Sequence, residues 1–261
     1  MKTDILIRSY HNDFKWLWSS LRSISKFGSD FSDIHIVVPE SDSPLLGHLT
    51  LEKIHGVTDQ CEGYLAQQIT KLYADTWCTA DYVLHVDSDC IFNTSFSPQT
   101  FFLDDKPIML YEKCTDSPWN VISERTLGWY DEYEYMRRLP IIYPRWIYAE
   151  FRDWIQSTHG CELDEWICAQ PYREFSEFNT LGQWAYKFHR EAFSWMHPSD
   201  VPACCKQYWS WGGVSNDIHD EIENLLITSQ HIKLQLQTKQ RVFDFFHLID
   251  IPYFIMSSYN T

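Results

Sequence analysis

Positive charge is scarce in this 261-residue sequence. Its 21 lysine and arginine residues stand against 36 aspartate and glutamate residues, which gives a formal net charge of −15 at pH 7. Nucleic acid and anionic membrane surfaces carry negative charge themselves, so we expect neither as a partner. An anionic substrate would need a metal ion or a local cluster of basic residues to bind to so acidic a chain.

Long apolar runs and paired-cysteine motifs are also missing. No stretch reaches the ~18 consecutive apolar residues typical of a membrane span, and the opening MKTDILIRSY contains no apolar export signal. The eight cysteines show no C-x-x-C spacing, and two of them, Cys204 and Cys205, are adjacent. We therefore expect a soluble, cytoplasmic protein with reduced thiols and no membrane span.

The glycine-rich phosphate-binding motifs are absent as well. Neither G-x-G-x-x-G nor G-x-x-x-x-G-K-[ST] occurs in the sequence. This argues against a Rossmann dehydrogenase and against a P-loop enzyme, because both hold phosphates on such loops.

What is present is an alternation of strand-like and helix-like segments in the first half. Apolar, β-prone runs lie at residues 4–8, 34–38, 54–57 and 82–86, and apolar residues recur at helical spacing over 17–27 and 63–77. Strands that alternate with helices through short links predict an α/β fold with a parallel sheet and right-handed crossovers. The second half is less regular. It predicts a strand at 107–111, helices over 147–159, 178–188 and 216–225, and an apolar tail at 242–256.

Two carboxylates, Asp87 and Asp89, directly follow the apolar strand at 82–86. Burying two anions a residue apart is costly unless a cation lies between them, and Mg²⁺ or Mn²⁺ prefers such oxygen ligands. In open α/β sheets, ligands collect outside the carboxyl ends of the strands, where this pair lies. The alternative is a capped turn, since Asp and Ser are common turn residues. This segment alone leaves both interpretations open.

Four blocks of sequence carry a resemblance to a known family. They are Arg8-Ser9-Tyr10-x-x-Asp13, Gly63-x-x-x-Gln67-Gln68-x-x-Lys71-Leu72, Val86-Asp87-Ser88-Asp89 and Phe175-Ser176-Glu177-Phe178-x-x-x-Gly182. In this order and spacing, over roughly residues 3–190, the chain resembles small GT-A glycosyltransferases with an Asp-x-Asp motif, found in bacteria and in large algal DNA viruses.

The resemblance implies a GT-A (Rossmann-like) fold: a mixed, mostly parallel central sheet flanked by helices, in a single domain over 1–261. Residues 1–111 would form the nucleotide-sugar-binding half, and 112–261 the acceptor-binding half with C-terminal elements. The implied activity moves a glucose-, galactose- or xylose-type sugar from a UDP-sugar donor to a hydroxyl of a glycan acceptor, with Mn²⁺ or Mg²⁺ as cofactor. A viral protein of this type would act in the host cytoplasm.

The same resemblance implies roles for individual residues. Asp89 would bind the metal directly, and Asp87 would face the ribose or share the metal. The residues implied to hold the nucleotide sugar are Arg8, Ser9, Tyr10, Asp13, Gln67, Gln68, Lys71, Asp87 and Ser88. Tyr10 would stack on a uracil, and Gln67, Gln68 and Lys71 would reach the sugar and phosphates. Lys71 as a solvated helix residue and Tyr10 as a cover for the sheet end are the simpler alternatives.

Glu177 is the candidate catalytic base, because transfer with inversion needs a carboxylate to accept the proton of the acceptor hydroxyl. Flanking Phe175 and Phe178 suggest an apolar pocket that raises its pKa. The alternative is an ordinary glutamate at a helix N-terminus, and in a retaining enzyme Glu177 would orient the acceptor. A downstream histidine completes the metal shell in many GT-A enzymes; His197 is the candidate here and His247 a weaker one, although most histidines are not ligands.

Aromatic residues are candidates for acceptor recognition, because sugar C–H faces pack on aromatic rings. They are Trp119, Trp129, Tyr130, Tyr133, Tyr135, Tyr143, Trp146, Trp209 and Trp211. The same rings are equally suited to a core. Three other functions compete with transfer: a phosphohydrolase of the haloacid-dehalogenase type, a non-catalytic sugar-binding protein, and a transferase fold that has lost its activity.

Overall fold

The computed structural model describes residues 1–47, 49 and 52–227. Residues 1–222 form one compact unit, and the described part of a second unit, which begins at Glu223, is the end of the last helix. The predicted tail at 242–256 and the candidate ligand His247 lie outside the described residues.

The strands of the described part are, in chain order, β1 (Thr3–Arg8), β2 (Ile34–Pro39), β3 (Lys53–Val57), β4 (Tyr82–Asp87), β5 (Cys90–Phe92), β6 (Phe102–Leu103), β7 (Lys106–Leu110), β8 (Glu112–Lys113), β9 (Tyr133–Glu134), β10 (Ile141–Pro144), β11 (Ser194–Met196) and β12 (Cys205–Gln207). The helices are α1 (Phe14–Phe27), α2 (Gly63–Leu72), α3 (Ala74–Trp77), α4 (Pro118–Leu127), α5 (Trp146–His159), α6 (Leu163–Cys168), α7 (Glu177–Phe188) and α8 (Asn216–Ile227).

The main sheet has the strand order β10-β4-β1-β2-β3. Strands β1 to β4 run parallel, and β10 adds an antiparallel edge. The predicted mixed, mostly parallel α/β sheet is therefore confirmed. From β1 the chain moves outward to β2 and β3 and then crosses back to β4 on the other side of β1. The point where the strand order reverses lies between β1 and β4. In the register of these two strands, Arg8 lies opposite Asp87.

The apolar runs account for the central strands, because parallel strands are covered on both faces by helices. All six residues of β1 are buried, and so are the four inner residues of β4. Helix α1 packs Leu17, Leu21 and Ile24 into the same core.

The helix predicted over residues 63–77 is interrupted, which corrects the sequence-based expectation. Helix α2 ends at Leu72 and α3 begins at Ala74. The Arg152 guanidinium donates to the carbonyl of Leu72 at 2.9 Å and makes two bonds of 2.7 Å with the Asp75 carboxylate. This contact with α5 satisfies the carbonyl of Leu72, which has no partner within the helix once α2 ends. A tertiary hydrogen bond thus replaces one that a continuous helix would make.

Smaller sheets extend the molecule beyond the main sheet. Strand β12 pairs with β5 in antiparallel fashion, β7 lies between β6 and β11, and β8 pairs with β9. The β5–β12 pair matters for the site, because β5 follows Asp89 directly and β12 precedes Tyr208. Every helix within the described ranges is too short or too polar to cross a bilayer.

Candidate active site

Lys71 lies at the centre of the candidate site. Its Nζ is 2.9 Å from Asp87 Oδ1 at the end of β4 and 3.0 Å from Glu177 Oε1 at the start of α7. The side chain of Lys71 is only 5% exposed. Burial alone lowers the pKa of Lys71, but the charges of Asp87 and Glu177 outweigh burial and hold this pKa above its ordinary value. Lys71 is therefore a buried cation that joins α2, β4 and α7, and not a solvated helix residue.

Gln68, one turn before Lys71, fixes the start of α7. Its Oε1 accepts the backbone N–H of Glu177 at 2.9 Å, and its Nε2 donates to the carbonyl of Tyr64. The first N–H groups of a helix have no partner within the helix, so this bond satisfies one of them. Gln68 is buried, whereas Gln67 is half-buried. Both residues stay predicted contacts of the donor, with Gln68 already engaged in holding Glu177.

The environment of Glu177 differs from the predicted apolar pocket. Phe175 and Phe178 are fully buried around it, as expected. The carboxylate itself, however, pairs with Lys71, whose Nζ also lies 5.3 Å from the centre of the Phe178 ring. A buried cation thus balances the charge of Glu177, so the pocket is apolar in its walls and ionic at its centre.

Three further carboxylate contacts involve the last residue of β12 and the segment that follows it. The backbone N–H of Ser210 donates to Asp89 Oδ2 at 2.8 Å, and the Ser210 hydroxyl donates to Asp13 Oδ2 at 3.2 Å. The Gln207 side-chain amide reaches Asp87 Oδ2 at 3.4 Å. Asp13, Asp87 and Asp89 therefore all contact residues 207–210.

Two of these carboxylates, Asp89 and Asp13, have raised pKa values. Burial and the nearby charge of Asp87 raise the pKa of Asp89 to about 6. Burial and Asp87 likewise raise the pKa of Asp13 above its ordinary value. Buried carboxylates with raised pKa values are typical of sites that receive a cation or a proton.

The residues fit a hard divalent cation. Asp89 is buried, and its Oδ1 has no hydrogen-bond partner in the structure. Asp87, with 24% of its side chain exposed, offers further oxygen ligands beside it. An all-oxygen set of this kind suits Mg²⁺ or Mn²⁺. Ser88, between the two aspartates in the chain, is buried, and its contact with the donor stays a prediction.

His197 lies in a different environment. Strand β11 pairs Met196 with Leu110 of β7, which carries His197 toward Glu112. His197 Nε2 is 3.4 Å from Glu112 Oε1, and its Nδ1 is 2.8 Å from the Ser199 hydroxyl. Within the described ranges, it does not form a group of metal-ligand spacing with Asp87 and Asp89. His197 as a metal ligand stays a prediction, and it would require the ring to leave Glu112.

The loop after β1 contains one engaged and one available side chain. Arg8 is buried and pairs with Asp59 at 2.7 Å, and it also donates to the carbonyl of Ser9. Desolvation lowers the pKa of Arg8, and Asp59 opposes that shift. The Ser9 hydroxyl is buried without a partner, whereas Tyr10 is 42% exposed. Tyr10 is thus the residue of this loop that presents a ring to solvent.

The aromatic candidates divide into core and surface. Tyr135 and Tyr143 are fully buried, so the core interpretation holds for them. Trp209 and Trp211 are 59% and 86% exposed, and they flank Ser210, which contacts Asp13 and Asp89. Two exposed aromatic residues are therefore the chain neighbours of the serine that contacts the carboxylates.

Sequence reasoning missed the roles of Asp59, Gln207 and Ser210. Ser210 and Asp89 are 121 residues apart in the chain, and they meet because β12 pairs with β5. A three-residue strand such as β12 carries too few residues to show a period. The exposed neighbour Trp209, noted for its aromatic ring, was the single available signal.

Comparisons with known proteins identify one matching family and two similar solved structures. The family of unknown function DUF6492 matches residues 5–206. The crystal structure of a galactosyltransferase, LgtC, in complex with donor and acceptor sugar analogues aligns with a TM-score of 0.50 at 11% identity, and the match covers 90% of this chain and 99% of LgtC. The apo form of the glycosyltransferase GlyE from Streptococcus pneumoniae TIGR4 aligns with a TM-score of 0.47 at 11% identity, over 93% of this chain and 64% of GlyE. No curated protein matches the sequence.

Proposed function

The chain belongs to DUF6492, a family of unknown function, and we propose that it is a metal-dependent glycosyltransferase. It moves a sugar from a nucleotide sugar to a hydroxyl of a glycan acceptor. One observation carries the proposal: Lys71 joins Asp87 and Glu177 beside the buried Asp89, where the strand order of a GT-A-like sheet reverses. Ligands of open α/β sheets bind at such points.

The donor occupies the loop after β1 and the part of α2 that carries Gln67, Gln68 and Lys71. Tyr10, exposed at the end of β1, stacks on the base, and Ser9 and Asp13 offer hydrogen bonds to the base or ribose. Arg8 is held by Asp59 and donates to the carbonyl of Ser9, so it fixes the start of this loop. Gln67 and Lys71 face the sugar and phosphates. A UDP-sugar of the glucose, galactose or xylose type is proposed by analogy with other Asp-x-Asp transferases.

Asp89 and Asp87 are the residues that would hold Mn²⁺ or Mg²⁺. When bound, the cation offsets the negative charge that grows on the diphosphate leaving group. The chain contributes by fixing both carboxylates. Asp87 is anchored by Lys71, and Asp89 by the backbone N–H of Ser210. His197 is retained as a candidate further ligand.

Glu177 acts as the general base in the inverting reaction. The acceptor oxygen bonds to the anomeric carbon, its proton moves to a Glu177 carboxylate oxygen, and the bond to the nucleoside diphosphate breaks. Gln68 holds the backbone N–H of Glu177, and Lys71 holds Oε1, so the side chain is fixed in place. In a retaining reaction the same fixed carboxylate would orient the acceptor.

The acceptor is a sugar hydroxyl on a glycan, bound in the half of the chain from residue 112 onward. Trp209 and Trp211 support this assignment, because they are exposed and flank Ser210 at the carboxylates. Flat aromatic faces pack on the C–H faces of sugars while sugar hydroxyls seek polar groups.

A thermal-shift panel of UDP-, GDP- and TDP-sugars, with and without Mn²⁺, tests the proposal. A ligand at ~100 times its Kd adds about 2.7 kcal/mol of stability, so the matching donor should raise the unfolding temperature in the presence of Mn²⁺. A protein that no nucleotide sugar stabilises in Mn²⁺ is not this transferase. Phosphate release from monoesters would indicate a phosphohydrolase, and glycan binding that ignores chelator would indicate a sugar-binding protein.

A further inference from the structure

A second cluster of metal-binding side chains lies at the opposite end of the parallel strands. It consists of Asp4 on β1, His35 on β2 and Cys78 just after α3, and the exposed fraction of each residue is 0–1%. One ligand atom from each lies within 4.8 Å of the other two. Asp4 and Arg8 are four residues apart on β1, so about 13 Å of strand separates this cluster from the candidate active site.

The polar atoms of this cluster are incompletely satisfied. Asp4 Oδ2 accepts the backbone N–H groups of Thr79 and Ala80 at 2.9 Å each, whereas Asp4 Oδ1 has no partner. His35 Nε2 is 3.6 Å from Asp4 Oδ2, which is too long for a hydrogen bond, and it has no other partner. Asp4 Oδ1 and His35 Nε2 are therefore fully buried polar atoms without a hydrogen-bond partner, which is a costly arrangement.

His55 orients the ring of His35 toward that gap. His35 Nδ1 is 3.0 Å from His55 Nε2, and the planes of the two rings are nearly parallel, with an angle of 4° between them. This engages one ring nitrogen of His35 and leaves Nε2 directed at Asp4. Metal-binding histidines are commonly held in this way through their other nitrogen.

We propose that Asp4, His35 and Cys78 bind a Zn²⁺ ion. The set supplies one oxygen, one nitrogen and one sulfur, the three donor types that zinc accepts in proteins. A carboxylate and a thiolate balance the charge of Zn²⁺, so the buried cluster becomes neutral. The ion ties β1, β2 and the turn before β4 together, and a water or the second Asp4 oxygen completes its shell. The proposal is independent of the proposed transferase activity.

Metal analysis of the purified full-length chain tests the proposal. After removal of loosely bound metal, we expect one zinc per chain in the wild type and in the control Cys204→Ala, which removes a buried cysteine outside the cluster. Cys78→Ala and Cys78→Ser should lose this zinc. Asp89→Asn should keep it, which separates the cluster from the candidate active site.

Replacement of zinc by Co²⁺ supplies a second readout. A thiolate bound to Co²⁺ gives a charge-transfer absorption band, which we expect in the wild type and in Cys204→Ala and not in Cys78→Ser. A wild-type chain without zinc and without this band would overturn the proposal and leave Asp4, His35 and Cys78 as a metal-free part of the core. Equal zinc content in Cys78→Ser and the wild type would overturn it as well. If the Cys78 variants do not fold, the wild-type zinc content and cobalt spectrum still decide.

Discussion

Asp89 is buried beside Asp87, and the N–H of Ser210 satisfies one of its oxygens while the other has no partner. One oxygen of the carboxylate is therefore held by the chain, and the other is available to a ligand. Asp89→Asn keeps the shape of the side chain and removes the charge, so we expect a folded protein whose unfolding temperature no longer responds to Mn²⁺. Asp116→Asn, at an exposed position, is the matched control and should keep the response. If Asp89→Asn fails to fold, Asp89 serves the turn and not a metal.

The raised pKa of Asp89 gives protein stability a specific dependence on pH. The folded-state pKa, about 6, lies above the ordinary value of 3.8, so the native state binds the extra proton between these two values. The stability that protonated Asp89 contributes, compared with the Asp89→Asn variant, is therefore present at low pH and is lost as the pH rises toward 6. We expect the variant to gain up to roughly 3 kcal/mol over the wild type above pH ~6 in metal-free urea unfolding.

The same titration sets the pH dependence of metal binding. A proton and a cation compete for the Asp89 carboxylate, so the Mn²⁺-induced thermal shift of the wild type should weaken below pH ~6. A gap between wild type and Asp89→Asn that does not change between acidic and neutral pH would contradict this assignment.

At the scale of elements, Lys71 is the contact on which α2, β4 and α7 depend together. Lys71→Met removes the cation and leaves the buried Glu177 carboxylate, and the half-buried Asp87 carboxylate beside it, without their ion-pair partner. We expect a loss of about 3–5 kcal/mol in the free energy of unfolding, measured with urea, because unpaired buried charges are costly. Lys113→Met is the control, since its ion pair with Glu132 is exposed and should not shift the unfolding midpoint. Equal midpoints for the two variants would remove Lys71 from its structural role.

Gly182 allows α7 to approach the segment that carries Tyr135. A Cβ at position 182 would overlap Tyr135 Cβ, because it would lie closer than two non-bonded carbon atoms approach. Gly182→Ala should therefore cost about 1–3 kcal/mol of stability and displace the helix that carries Glu177. Gly63→Ala is the control, because a Cβ there would meet nothing within 4 Å. When the unfolding of both variants is measured by calorimetry, Gly63→Ala should be neutral or slightly stabilising.

At the scale of the whole molecule, local signals predicted the sheet and the elements that bear the site. Apolar runs predicted β1 and β4, and the carboxylates at the end of β4 indicated the edge of the sheet where the candidate site lies. The ion pairs of Lys71 could not be predicted, because Glu177 lies 106 residues away along the chain. The break between α2 and α3 depends on Arg152, a residue of α5, and the contacts of Ser210 depend on a three-residue strand. Long-range contacts of this kind leave no periodic signal in the sequence.

The charge imbalance around Lys71 has a kinetic consequence. Asp13, Asp87, Asp89 and Glu177 contribute carboxylates to a region where Lys71 supplies the balancing cation, and Arg8 is already paired with Asp59. A nucleoside diphosphate brings further negative charge, which such a site repels until a divalent cation has bound. A transferase built on these residues should therefore follow a compulsory order of addition in which the metal enters first, the donor second and the acceptor last.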